Sequence, residues 1–116
     1  MFARLMGLRS ISPDALHRLV QGTGRVSVFD MNSHQSWTTA RVPGARNLDP
    51  AEYKASDLPP DKNDMLVFYC SNPLCMKAPN ASRRAKALGY GNVHVMSAGI
   101  SGWLAAKRPT ESGETP

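Results

Sequence analysis

Apolar and polar positions follow two rhythms along this chain. Leu16, Leu19 and Val20 share one face at helical spacing, behind Ser12, Pro13 and Asp14. Those three supply a capping hydroxyl, a proline tolerated in the first turn and an acid at the positive helix end. They predict a helix that starts after Ser12 and is stopped by Gly22 to Gly24. "RVSVFD" reads as a short strand ending at Asp30. "SHQSWTTARVPGARNLD" predicts a short helix around Trp37, a turn at Pro43 and Gly44, and a second strand over Ala45 to Leu48. "PAEYKASDLPPDKND" predicts a helical turn or two, then a loop closed by the proline pair. "MLVFYC" is apolar without alternation, as in a strand buried on both faces. A helix follows over Pro79 to Leu88, ended by Gly89, then a strand in "NVHVM" and a glycine-opened helix in "AGISGWLAAK". Strands alternating with helices predict an α/β fold, a mostly parallel sheet flanked by helices on both faces.

Composition narrows this further. With 116 residues, 41% hydrophobic and 20% charged, the chain can bury one core of its own. One domain is expected over residues 1–108, and the polar "RPTESGETP" predicts a frayed tail over 109–116. The net charge is +5, but Lys and Arg are spread from Arg4 to Arg108 with no polybasic block. That disfavours nucleic acid and favours small anions or an acidic partner protein. No stretch approaches the roughly 20 apolar residues of a membrane span, and "MFARLMGLRSIS" lacks a signal peptide's apolar core. Two cysteines are too few for a disulfide-stapled secreted scaffold, so the cytoplasm is the expected location. His17, His34 and His94 show no ligand spacing, and no metal is expected.

The chemistry concentrates at Cys70, where the buried strand stops and a loop leads into a helix. Ligands of parallel sheets bind outside the carboxyl ends of the strands. A free cysteine is only about 3% thiolate at neutral pH, so a nucleophilic one needs activation. Loop amides and a helix N-terminus can supply it. Lys77, Arg83 and Arg84 can add to the field if they face the loop; on the bland reading, Arg83 and Arg84 lie on the solvated helix side. Equally, Cys70 can be an inert buried thiol, and Cys75, between Leu74 and Met76, a small packing residue. Asp30 reads as a local cap, and Trp37 and Trp103 as core aromatics.

Four segments in order, "ISPDAL", "VFD" with "VPGARNLDP", "LVFYC" and "GYGNVHVMSAGISGW", resemble the rhodanese-like domain from Ile11 to Trp103. The resemblance implies a five-stranded parallel sheet and a catalytic Cys70 that takes up sulfur as a persulfide. It also implies an amide cradle from Ser71, Asn72, Pro73, Leu74, Cys75, Met76 and Lys77, Pro73 having no N–H to give. The expected activity moves sulfane sulfur from an anionic donor, thiosulfate or a persulfide, to cyanide, a thiol or an acceptor protein. No metal or organic cofactor is implied. The chain departs from the family pattern at Asn32 and Ser36, where an arginine and an acid are common, and at Arg41, where a histidine is frequent. Cys75 stands where the loop often has an arginine. Two alternatives remain: redox or persulfide resolution by the Cys70/Cys75 pair, and a non-catalytic binding module. A phosphatase-like use of the loop is disfavoured, because no arginine precedes Arg83 to close on phosphate.

Overall fold

The computed structural model describes residues 8–22 and 25–115. Thr23 and Gly24, part of the expected helix stop, lie outside them, as does most of the N-terminal segment weighed as a signal peptide.

Helix α1 spans Pro13–Gln21; the Ser12 hydroxyl accepts from the Ala15 amide at 3.1 Å, and Pro13 opens the first turn. Strand β2, Val26–Asp30, precedes α2, His34–Thr39, which is capped by Ser33. Strand β3 is Arg46–Asn47, and a 3-10 turn at Ala55–Asp57 stands in the expected helical turn. Strand β4 is Met65–Tyr69, α3 is Lys77–Ala87, β5 is Val93–Val95, and α4 is Gly99–Ala105. Ahead of these lies β1, Arg9–Ser10, which the residue pattern does not announce because it is two exposed residues on a sheet edge.

All five strands pair in parallel, in the order β1-β5-β4-β2-β3. The central β4 shows why "MLVFYC" carries no alternation: Leu66, Val67, Phe68 and Tyr69 are all fully buried. Successive side chains point to opposite faces. Val67 and Tyr69 join Leu16 and Trp103 in one core layer, while Leu66, Phe68 and Cys70 join Ala78, Ala81 and Ala85 of α3 in the other. The small alanines at helical spacing let α3 lie close on the sheet. The chain leaves β2 for β3 on one side and β4 for β5 on the other, so the β2/β4 carboxyl ends form the switch point where ligands bind in open α/β sheets.

Helix α3 begins two residues earlier than expected, at Lys77. Pro79 fits in its first turn because the amide it lacks has no intrahelical partner there.

Carbonyls of tail residues Ser112, Gly113 and Thr115 surround the fully buried Arg41. Arg41 and Glu111 form an antiparallel bridge. The Arg41 guanidinium donates to the carbonyls of Gly113 at 2.8 Å and Ser112 at 3.2 Å, and also to those of Trp37 and Thr115. It lies 4.0 Å from the centre of the Trp37 ring. A buried guanidinium needs several acceptors, and here main-chain carbonyls of a polar tail provide them.

Candidate active site

Cys70 follows β4 at the switch point and is 3% exposed. Its carbonyl accepts from the Ile100 amide at 2.9 Å, and that of Ser71 from the Ser101 amide at 3.0 Å, so the start of α4 holds the loop by its backbone. The next residues, Asn-Pro-Leu-Cys, form a β-turn. The Cys75 amide donates to the Asn72 carbonyl at 3.1 Å, and the Leu74 amide to Asn72 Oδ1 at 2.9 Å. Asn at the first turn position and Pro at the second suit that geometry. The turn brings Cys75 back over Cys70, their Cα atoms 6.4 Å apart, and the two sulfurs are joined in a disulfide.

The turn uses the amides of Leu74 and Cys75. Those of Ser71, Asn72, Met76, Lys77 and Ala78 have no acceptor among the described residues. Met76, at the N-cap of α3, provides no side-chain cap, and no acidic residue sits in the first turn. These amides belong to the loop and first helical turn that follow Cys70, at the positive end of an 11-residue helix.

The cavity against the sulfurs, lined by Asn72, Ala78, Pro79, Val95 and Ser97 among others, has a free volume of about 10 Å³. That is the space of about one water, and while the two sulfurs are bonded to each other neither is a thiolate. Beside the loop lies an open groove of about 440 Å³ lined by Asn32, His34, Asn47, Asp49 and Lys77. Of the three cations weighed for the loop, Lys77 borders this groove. Arg83 is exposed. Arg84 donates to the Tyr53 carbonyl at 3.0 Å and stacks over that ring instead of facing the loop. Another groove, about 290 Å³ between Val20, Val26 and Arg46, lies toward the start of β2 and is lined by neither cysteine.

The β2 and β4 ends are braced one residue before Cys70. Tyr69 donates its hydroxyl to Asp30 Oδ2 at 2.6 Å and accepts from the Val42 amide at 3.1 Å, while the Asn32 amide donates to Asp30 Oδ1 at 2.8 Å. Asp30 is thus a buried strut between strands, more than the local cap its position suggests. Burial raises the Asp30 carboxyl above its ordinary 3.8, against the lowering effect of the Tyr69 and Asn32 hydrogen bonds and the Arg41 charge. Burial, then the Asp30 charge, raises Tyr69 as well.

The sign of the pH effect follows. With the folded pKa raised, the folded chain holds a proton that the unfolded chain releases near 3.8, so stability falls as pH rises through the folded value. Denaturant unfolding of the wild type and Asp30→Asn across pH 3 to 7 should show the wild type losing ground to the variant with rising pH. The slope should be at most about 1.4 kcal/mol per pH unit. A difference that grows with pH would show that the hydrogen bonds outweigh burial.

The departures from the family pattern are used separately: Asn32 on Asp30, Ser36 in the Ser33 cap of α2, and Arg41 on the tail. Trp37 and Trp103 are buried, their indoles donating to the Ala45 and Pro109 carbonyls.

The model of the rhodanese-like domain matches residues 12–106. The chain is 25% identical over 114 residues to the thiosulfate:glutathione sulfurtransferase of Homo sapiens, covering 86% of this chain and 96% of that one. It is 30% identical over 92 residues to an HTH-type transcriptional regulator of Mycobacterium tuberculosis, covering 78% of this chain but 39% of the regulator. The crystal structure of a thiosulfate sulfurtransferase from Pseudomonas aeruginosa superposes with a TM-score of 0.85 at 18% identity, over 97% of this chain and 22% of that one. Five parallel strands in the order β1-β5-β4-β2-β3, flanked by helices, give the α/β fold of rhodanese-like domains. The chain belongs to the rhodanese-like domain family.

Proposed function

We propose that this chain is a sulfurtransferase that takes sulfane sulfur from an anionic donor such as thiosulfate onto Cys70 and passes it to a thiol or cyanide. In the reduced form the Cys70 thiolate attacks the outer sulfur of thiosulfate, the S–S bond breaks, and sulfite leaves with the bonding pair. The main support is the position of Cys70 at the end of the central strand, followed by a loop and helix start whose Ser71, Asn72, Met76, Lys77 and Ala78 amides have no acceptor among the described residues, a setting that favours a thiolate, an anionic donor and a persulfide alike. Lys77 on the adjoining groove adds positive potential to the approach. The chemistry needs no metal or organic cofactor. It needs a reducing compartment, since the disulfide form has no free thiolate, and this favours the cytoplasm.

The test is sulfite release on mixing protein with thiosulfate. The dithiol-reduced protein, freed of reductant, should release sulfite at least about tenfold faster than the disulfide form. Absence of sulfite from the reduced protein would leave a non-catalytic binding module as the better account.

A further inference from the structure

Cys75 has a position that simple transfer from Cys70 does not require. The Asn72–Cys75 turn holds it against Cys70, bonded, with Cα atoms 6.4 Å apart. The two sulfurs differ in access. Cys70 is 3% exposed, whereas Cys75 is half-buried beside Leu74 and Met76, which are 78% and 38% exposed.

We propose that Cys75 is a second catalytic residue, which resolves the Cys70 persulfide and so makes the protein a dithiol-dependent producer of sulfide. The proposal rests on persulfide formation at Cys70. The Cys75 thiolate attacks Sγ of the Cys70 persulfide, a sulfur–sulfur bond forms between the cysteines, and the bond to the outer sulfur breaks. That sulfur leaves as hydrosulfide with the bonding pair and the persulfide proton. Sulfane sulfur is reduced by two electrons and the two thiols are oxidised to a disulfide, so the step balances without an oxidant.

The cycle then requires an external dithiol, small or protein-borne. Exposure directs its attack to Cys75, which releases the buried Cys70 as the leaving thiolate, ready for the next donor. The external dithiol ends as a disulfide. The chain thus belongs after a reaction that yields thiosulfate or another sulfane sulfur, and before one that consumes sulfide.

The experiment mixes reduced protein, freed of reductant, with equimolar thiosulfate under anaerobic conditions, and measures sulfite, sulfide and intact mass. The wild type should release sulfite and sulfide in equal amounts, and its mass should settle two hydrogens below the reduced chain. In Cys75→Ser, the sulfide released per sulfite should fall at least about tenfold, with the chain retaining one added sulfur. Cys75→Ala should behave alike, which separates a lost thiol from any effect of the serine hydroxyl on the loop. Sulfite from the wild type with a retained sulfur and no sulfide would overturn the proposal and leave transfer by Cys70 standing. Equal sulfide per sulfite from wild type and both variants would overturn it too. No sulfite from any of the three would overturn both readings.

Discussion

Cys70→Ser is expected to lower sulfite release from thiosulfate by about three orders of magnitude or more. At neutral pH a serine hydroxyl has almost no anionic fraction. The free loop amides cannot make up that difference, because they act on a charge the side chain no longer carries. Cys75 is no substitute. Its place on the other limb of the turn, against the sulfur of residue 70, suits it to the second step and not to the first. The carbonyl hydrogen bond from Ile100 that fixes residue 70 is a main-chain contact and survives the substitution. A hydroxyl in a site 3% exposed costs about 1 to 3 kcal/mol if unpaired, so thermal melts accompany the assay, and Cys70→Ala repeats it without the hydroxyl. Sulfite release by folded Cys70→Ser within tenfold of wild type would place the nucleophile elsewhere.

The sheet's inner strands were legible because their residues carry the whole signal. Val26 to Asp30 and Met65 to Tyr69 are apolar runs ended by polar or turn residues, and both formed where expected. The end of β4 is also where Cys70 could be placed from sequence, since strand length alone fixes it. What escaped the pattern depends on partners far along the chain. The Asp30–Tyr69 strut joins residues 39 apart, and its only sequence trace is that both strands end in a polar or thiol residue after an aromatic. The strap over Arg41 depends on carbonyls of Ser112, Gly113 and Thr115, and any residue type carries a carbonyl. The turn that pairs the cysteines did have a readable signal in Asn72-Pro73, a turn initiator. Counting the turn's four residues from it would have returned Cys75 to Cys70.

Gly99→Ala should be the most damaging single-methyl change near the site, because Gly99 meets two independent restrictions. Its φ is +66°, a left-handed conformation that costs an L residue about 1 to 2 kcal/mol. A Cβ there would also stand 2.6 Å from the Ser71 carbonyl carbon and 2.7 Å from the Asn72 nitrogen. Both contacts are backbone, so the overlap cannot be relieved by a rotamer change, and crowding of this kind costs a further 1 to 3 kcal/mol or so. Together the two terms predict a loss of about 2 to 5 kcal/mol in denaturant unfolding. The same displacement moves the Asn72 amide, one of the loop amides that follow Cys70, and strains the Ile100 and Ser101 hydrogen bonds that hold the loop. Sulfite release should therefore fall by about ten- to a hundredfold even at temperatures where the variant is fully folded. Gly44→Ala is the matched control. Its φ of +80° is just as unsuited to alanine, yet nothing lies within 4 Å of the added carbon. It should lose only the conformational part, about 1 kcal/mol, and keep its sulfite release. If Gly99→Ala proves no more harmful than Gly44→Ala in both measurements, the close approach of α4 to the Ser71–Asn72 backbone is not what shapes the site.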